Sequence, residues 1–173
     1  MEKITLTATS LNTFMRCSRL YFYRYILGYK PIEVAHSLKF GQIWHKMHED
    51  HLNGKQLQLS NDSDLDEKIS YAMMGSYLDH WSESQLDIIE CEQEHYLPLV
   101  NYDTLDESTE FVLGGKLDSI VSDSSGRFFI FERKTSSENL DAGSVYWERL
   151  IMDVQFSMYC MLTGISQGIY DVV

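Results

Sequence analysis

The stretch Gly114–Thr135, GGKLDSIVSDSSGRFFIFERKT, constrains the fold more than any other part of the chain. It reads as two apolar strands joined by a polar turn at Asp123, Ser124, Ser125 and Gly126, with Asp118 on the first strand and Glu132 and Lys134 on the second. Side chains alternate between the two faces of a strand, so Glu132 and Lys134 share one face while Phe131 and Arg133 share the other. If the strands pair as a hairpin, Asp118 comes alongside Glu132. Two adjacent carboxylates repel, which raises one pKa or draws a cation between them. A hard divalent ion with oxygen ligands resolves that repulsion. The competing reading is a surface hairpin carrying a cross-strand ion pair. Against it, the run FFIF ahead of Glu132 is very apolar and fits a central strand whose buried end opens into a cleft.

A chain of 173 residues, 44% hydrophobic and 13% aromatic, is expected to form a single folded domain over residues 1–173. It contains no run of about 18 uncharged apolar residues, and MEKITLTATS lacks the apolar segment of a signal peptide. The expected location is cytoplasmic or nucleoid-associated, without a membrane partner. Cys17, Cys91 and Cys160 are widely spaced and form no CxxC pair, which fits a reducing compartment. The net charge of −12 argues at first against a polyanionic partner, but it is unevenly distributed. Residues 1–48 hold seven Lys/Arg against two acids, residues 49–110 two against sixteen, and residues 111–173 five against eight. The basic N-terminal segment can therefore still meet phosphate.

Four helices and four strands follow from the periodicities. A helix over 10–27, capped at Thr9 or Ser10 and ending near Gly28, places Leu11, Phe14, Tyr21 and Tyr25 on one face, with Arg16, Arg19 and Arg24 elsewhere. It is either a core helix with a solvated basic side or a surface on which arginines and tyrosines touch a nucleic acid. A second helix, 38–52, carries an apolar stripe of Ile43, Trp44, Met47 and Leu52, with His45, His48, Glu49 and His51 among them. His45 can chelate with His48 or Glu49 by spacing, although HEDH is not the HExxH zinc pattern. A third helix over 65–84 presents Leu65, Ile69, Ala72, Met73, Tyr77 and Trp81, with Met73 and Trp81 read as core. Residues 88–100 alternate as a strand whose Glu90, Glu92 and Glu94 form a solvated face, or of which one, Glu94 on this reading, joins a metal site. Strands over 112–122 and 127–135 are the hairpin already described. A long helix, 144–163, aligns Leu150, Val154, Met158 and Leu162 and sets Gln155 four residues before Tyr159. A last strand, 168–173, ends abruptly, as though the natural chain continued.

In order along the chain stand Ser10, Leu11, Phe14, Cys17, Tyr21 and Tyr23 (SLxxFxxCxxxYxY), Gly41 to His45 (GxxxH), Gly115 to Asp118 (GxxD), Glu132-Arg133-Lys134 (ExK) and Gln155 to Tyr159 (QxxxY). This series resembles the PD-(D/E)xK nuclease superfamily, in particular its branch of RecB-type exonuclease domains, phage exonucleases and CRISPR adaptation nucleases. Each motif alone is weak; five in order over residues 10–172 are fairly specific. The resemblance implies an α/β fold with a central mixed sheet flanked by helices. It implies that Asp118, Glu132, His45 and the backbone carbonyl of Arg133 hold Mg²⁺ or Mn²⁺, and that Lys134 positions or activates the attacking water. Gln155 and Tyr159 would lie at the DNA side of the site. Branch members with an iron–sulfur cluster add three cysteines after the QxxxY helix. Cys17 matches the first cluster cysteine but Cys160 is isolated, so no iron–sulfur cluster is expected from this chain and Cys17 reads as a small buried residue.

The expected function is metal-dependent hydrolysis of DNA phosphodiester bonds, exonucleolytic on ends or single strands, in recombination, repair or phage DNA processing, with catalytic Asp118, Glu132 and Lys134. DNA contacts are expected from Arg16, Arg19, Tyr21, Gln155 and Tyr159, and a helicase or recombination protein is the expected partner. Two alternatives belong to other classes. One is a catalytically inactive nuclease-fold interaction protein that presents its acidic face. The other is a zinc protein built on His45, His48 and His51.

Overall fold

The computed structural model describes residues 3–173, which fall into two compact units. The first comprises the described part of Met1–Pro31, Gln93–Leu117 and Ser137–Gln167; the second comprises Ile32–Glu92, Asp118–Ser136 and Gly168–Val173. The class is α/β with mixed strand pairing, as expected. The single expected sheet is instead two sheets, because two of the expected strands break.

Residues 88–100 form β2 (Asp87–Cys91) and β3 (Glu94–Val100), interrupted where Glu92 adopts a left-handed backbone, φ 53°. That conformation cannot continue a strand. Residues 112–122 likewise divide into β4 (Glu107–Lys116) and β5 (Ser119–Ser122), so Asp118 lies at a strand break and not within a hairpin strand. In the first unit β1 (Ile4–Leu6) runs parallel to β4, and β3 runs antiparallel to it with Glu94 opposite Lys116. In the second unit the order is β2-β5-β6-β7, where β6 is Phe128–Lys134 and β7 is Gly168–Val172. The β5–β6 hairpin keeps the expected turn. The Asp123 carboxylate accepts from the Ser125 and Arg127 amides at 2.9 and 3.0 Å, and Gly126 supplies the positive φ of 79°.

In the first unit, α1 (Ala8–Arg16) starts two residues earlier than expected. Thr7 is its N-cap in a reciprocal capping box with Ser10. The expected 10–27 helix breaks at Cys17, whose backbone is extended. A short α2 (Ser18–Tyr21) and a π-helical turn (Phe22–Ile26) follow, and neither buries a residue. Cys17 is consequently exposed, which corrects its reading as a buried residue. The core-helix reading survives only for α1, whose Ala8 packs with Leu113, Met158 and Leu11.

The helices of the second unit are α3 (His36–Leu52) and α4 (Leu65–His80), the latter opened by an Asp64–Glu67 capping box. Trp44 and His48 are the buried residues of α3. On α4 the buried positions are Ser70 and Met74, one step round from the expected stripe, and Leu65 is 70% exposed. The expected 144–163 helix divides into α5 (Val145–Leu150) and α6 (Val154–Thr163), because Asp153 turns its carboxylate back onto the Gln155 amide at 2.9 Å and caps the second helix. The stripe of Val154, Met158 and Leu162 packs on the core as expected.

Gly115 acquires a structural reason. A Cβ there would stand 2.8 Å from the Tyr159 ring and 3.0 Å from the Leu162 side chain. Gly115→Ala is therefore expected to overpack this unit and lower stability by about 1–3 kcal/mol, read as an earlier midpoint in urea denaturation at unchanged slope.

Candidate metal and phosphate site

The site is built within the second unit around Asp118. As the residue between two strands, Asp118 has backbone groups outside both ladders, and its polar atoms take up partners on three sides. Its carbonyl accepts from the Glu92 amide at 3.0 Å and from the Ser119 hydroxyl at 2.6 Å. Its Oδ2 accepts from the Arg133 backbone amide at 2.8 Å, which ties it to β6. Its Oδ1 lies 3.3 Å from His45 Nδ1, which α3 supplies one turn before the buried His48. A carboxylate held at both oxygens has little freedom to turn away from the ligands around it.

His45, Glu92 and Asp118 form a group whose ligand atoms all lie within 4.8 Å of one another, near enough for one cation. Glu92 is the residue that sequence reasoning missed, since Glu94 was the acid expected to join a site. Glu94 lies on β3 in the other unit, where its carboxylate accepts from the Tyr96 hydroxyl at 2.7 Å. The strand registers carry a signal for Glu92: Glu94 pairs with Lys116 and Cys91 with Ser119, so Glu92 is left facing Asp118. Seeing it requires knowing that both strands break at the same level.

Glu132 and Lys134 stand on β6, on the strand face opposite Phe131 and Arg133. Lys134 Nζ donates to Glu132 Oε1 at 3.1 Å. Glu132 is 4% exposed, and its Oε2 is buried without a hydrogen-bond partner among the described residues. Burial first, and the neighbouring Asp118 charge second, push the Glu132 carboxyl up to about 7, against the pull of Lys134 and His45. His45 moves upward too. Its hydrogen bond to Asp118 is the main cause, joined by the Asp118, Glu132 and Glu92 charges against the opposing effect of burial. An excess of negative charge over cations is thus written into the site, and the orphaned Oε2 together with the His45–Glu92–Asp118 donor set fits a hard divalent ion.

Other expected residues lie elsewhere. His48 is 3% exposed and packs edge-on against Trp44 and Tyr77; burial lowers its imidazole to about 3, so it is neutral. Neither it nor the exposed His51 joins the candidate metal group among the described residues. In the first unit, Gln155 Nε2 donates to Tyr159 Oη at 2.8 Å, and that hydroxyl donates to the Lys116 carbonyl at 2.6 Å. Tyr159 is 5% exposed. Arg16 and Arg19 are exposed, Arg19 lies 5.7 Å over the Tyr23 ring, and Tyr21 is sandwiched between Phe14 and Tyr25. Among the described residues no helix is long and apolar enough to cross a membrane.

Comparison with known proteins agrees with this geometry at the family level. The model of the PD-(D/E)XK nuclease superfamily matches residues 5–167. Among solved structures, the one described as "Crystal structure of SSO0001" is similar at 15% identity and a TM-score of 0.41. The match covers 100% of this chain and 64% of that one, so this chain spans under two thirds of that protein's length. A search of curated proteins found no match.

The raised Glu132 pKa makes stability depend on pH in a definite direction. Its carboxyl is protonated in the folded state where it would already be ionised in the unfolded chain, so the folded state holds more protons between about 4.5 and about 7. Stability is therefore greatest below the unfolded pKa and is lost as pH rises through the folded one, by up to about 3 kcal/mol for this group. Glu132→Gln is expected to remove that loss. In denaturation without divalent ions, the variant should match the wild type near pH 4.5 and exceed it near pH 8.

Proposed function

The chain belongs to the PD-(D/E)XK nuclease superfamily, and from that premise we propose that it hydrolyses DNA phosphodiester bonds with Mg²⁺ or Mn²⁺, acting on ends or single strands. The observation that carries the reading is the His45–Glu92–Asp118 group, with ligand atoms within 4.8 Å, set beside a buried Glu132 whose Oε2 has no partner among the described residues.

In this reading Asp118, Glu92 and His45 hold a divalent ion, with Glu132 and the Arg133 carbonyl completing the donor set. The ion would supply Lewis-acid stabilisation of the phosphoryl oxygens and acidify a water. The rest falls to the protein. The Arg133 amide keeps the Asp118 carboxylate oriented. Ion binding competes with a proton on His45, because the His45–Asp118 contact that favours imidazolium uses the same ligand atoms. Lys134, held by Glu132 Oε1, is the cation available to meet charge developing on the phosphate and to position the attacking water. Gln155 and Tyr159 keep the DNA-side role that the resemblance implies, and their mutual hydrogen bond supports treating them as a pair. Arg16, Arg19 and Tyr21 are proposed backbone and base contacts, supported by the exposure of the two arginines and by the half-buried Tyr21 within a cluster of aromatic rings.

A catalytically inactive scaffold is the weaker reading, since Asp118, Glu132 and Lys134 are all present. The zinc reading loses its ligand set, with His48 buried against aromatic rings.

The test is cleavage of end-labelled single- and double-stranded DNA with Mn²⁺. Asp118→Ala and Lys134→Ala should each lose about 100-fold or more in rate. Cleavage that persists in both variants, or a wild type inert with every divalent ion, would sink the proposal. Glu92→Gln isolates the ligand found only in the structure. It should raise the Mn²⁺ concentration for half-maximal rate by about tenfold, and an unchanged requirement would remove Glu92 from the ligand set.

A further inference from the structure

Asp118 is held from two directions by one residue of β6. The β5–β6 ladder ends at the Ser119–Phe131 pair, so the Arg133 amide lies past its last β5 partner and donates instead to Asp118 Oδ2 at 2.8 Å. The guanidinium of the same residue reaches Asp118 by a second route. Arg133 Nη1 donates to the Ser119 hydroxyl at 2.9 Å, and Ser119 Oγ donates to the Asp118 carbonyl at 2.6 Å. Chemistry fixes the direction of both bonds, since a guanidinium can only donate and a carbonyl can only accept. The Ser119 hydroxyl is thereby committed at its proton and at a lone pair. Ser119 and Arg133 are 1% and 6% exposed, which leaves little room for water to compete.

The Asp118 carbonyl is a junction. It also accepts from the Glu92 amide at 3.0 Å, so the backbones of two of the three candidate metal ligands meet at the atom that Ser119 engages. A shift of that carbonyl would move the Asp118 and Glu92 ligands relative to His45, which a different element, α3, carries. Behind Ser119, the guanidinium lies 4.8 Å over the Phe131 ring and is set against Asp171, its register partner on β7, whose carboxylate accepts from the Tyr77 hydroxyl. That carboxylate balances the buried charge. A buried ion pair adds little stability over apolar residues of the same volume. What this one supplies is a guanidinium fixed from behind, with Nη1 bonded to Ser119.

We propose that Ser119 and the Arg133 side chain are positioning groups for the candidate metal site: the guanidinium orders the Ser119 hydroxyl, and that hydroxyl sets the Asp118 backbone while the Arg133 amide sets its carboxylate. These roles rest on the metal-ion reading of His45, Glu92 and Asp118. Neither side chain touches the ion or the substrate, and the effect of each passes through Asp118.

The measurement is Mn²⁺ uptake by the intact chain without DNA, followed by electron paramagnetic resonance of the free ion, so it does not depend on cleavage. Ser119→Ala removes one hydroxyl and should weaken Mn²⁺ binding about tenfold. Arg133→Met made together with Asp171→Asn removes both buried charges at once and should weaken it by about the same factor. Because both changes act through one hydroxyl, adding Ser119→Ala to that pair should bring the loss to about 20-fold and not to the product of about 100-fold. Val121→Ala is the control: the residue is 2% exposed, two positions along the same face of β5, and its truncation should lower stability while leaving Mn²⁺ affinity within about twofold. Circular dichroism and thermal melting verify that each variant is folded under the conditions of the titration. A wild type that takes up no Mn²⁺ overturns the metal-ion reading and the proposal with it. A wild type that binds while Ser119→Ala binds equally well, a Val121→Ala that loses as much as Ser119→Ala, or a combined variant that loses the full product overturns the proposal alone.

Discussion

The candidate site depends on one carboxylate held in place at a break between strands. Asp118 takes two hydrogen bonds at its carbonyl, one from the β6 backbone at Oδ2 and a contact from His45 at Oδ1. A residue inside a continuous strand would spend its carbonyl and amide on the ladder and leave its side chain free to follow the pleat. At the break, neighbouring elements fix both the backbone and the side chain instead. The same level of the fold gives Glu92 its left-handed backbone and brings its side chain within reach of His45 and Asp118. A non-glycine residue at positive φ costs on the order of 1 kcal/mol or more, and strain of this kind persists where the surroundings over-determine it.

Charge makes the site unsatisfied without an added cation. Glu132 is buried beside Asp118; Lys134 Nζ donates to its Oε1, while its Oε2 has no hydrogen-bond partner among the described residues. Glu132 and His45 both gain a proton more readily than they would in water, Glu132 through burial first and the Asp118 charge second, His45 chiefly through its hydrogen bond to Asp118. Protons and a divalent ion are alternative ways to neutralise the same carboxylates. A surface ion pair, the bland reading of the ExK sequence, would not display this pattern, because exposed carboxylates are neutralised by solvent and counter-ions.

Much of this was legible from residue types and spacing. Period two placed Glu132 and Lys134 on one face and Phe131 and Arg133 on the other, and Asp123 to Gly126 spelled out the turn. The stripe of Val154, Met158 and Leu162 was also readable, because an apolar face at helical spacing has one way to pack. What escaped was where elements stop. The breaks at Cys17, Glu92, Leu117–Asp118 and Ile151–Asp153 carry no glycine or proline, the residues that punctuate a sequence most clearly. They rest on features that no punctuating residue announces: an Asp153 side chain turned onto the Gln155 amide, an Arg133 amide on Asp118 and a left-handed Glu92. Because Glu92 owes its place to such a break, no alternation rule could prefer it to Glu90 or Glu94.

Arg133 shows how one strand residue can serve two environments. Its backbone amide holds Asp118 on the side of the candidate metal ligands, while its guanidinium is buried with His48, Tyr77 and Phe131 around the cavity on the other face. The ExK motif specifies only the residues on either side of it, so a middle residue of any type would satisfy the sequence pattern. A long, fully charged side chain is an expensive choice for a position that is 6% exposed. An apolar residue there would pack against Phe131 and Trp81 without desolvating a charge. The neighbouring strand offsets that cost, because Asp171 on β7 is the register partner of Arg133 and sets a carboxylate against the buried guanidinium.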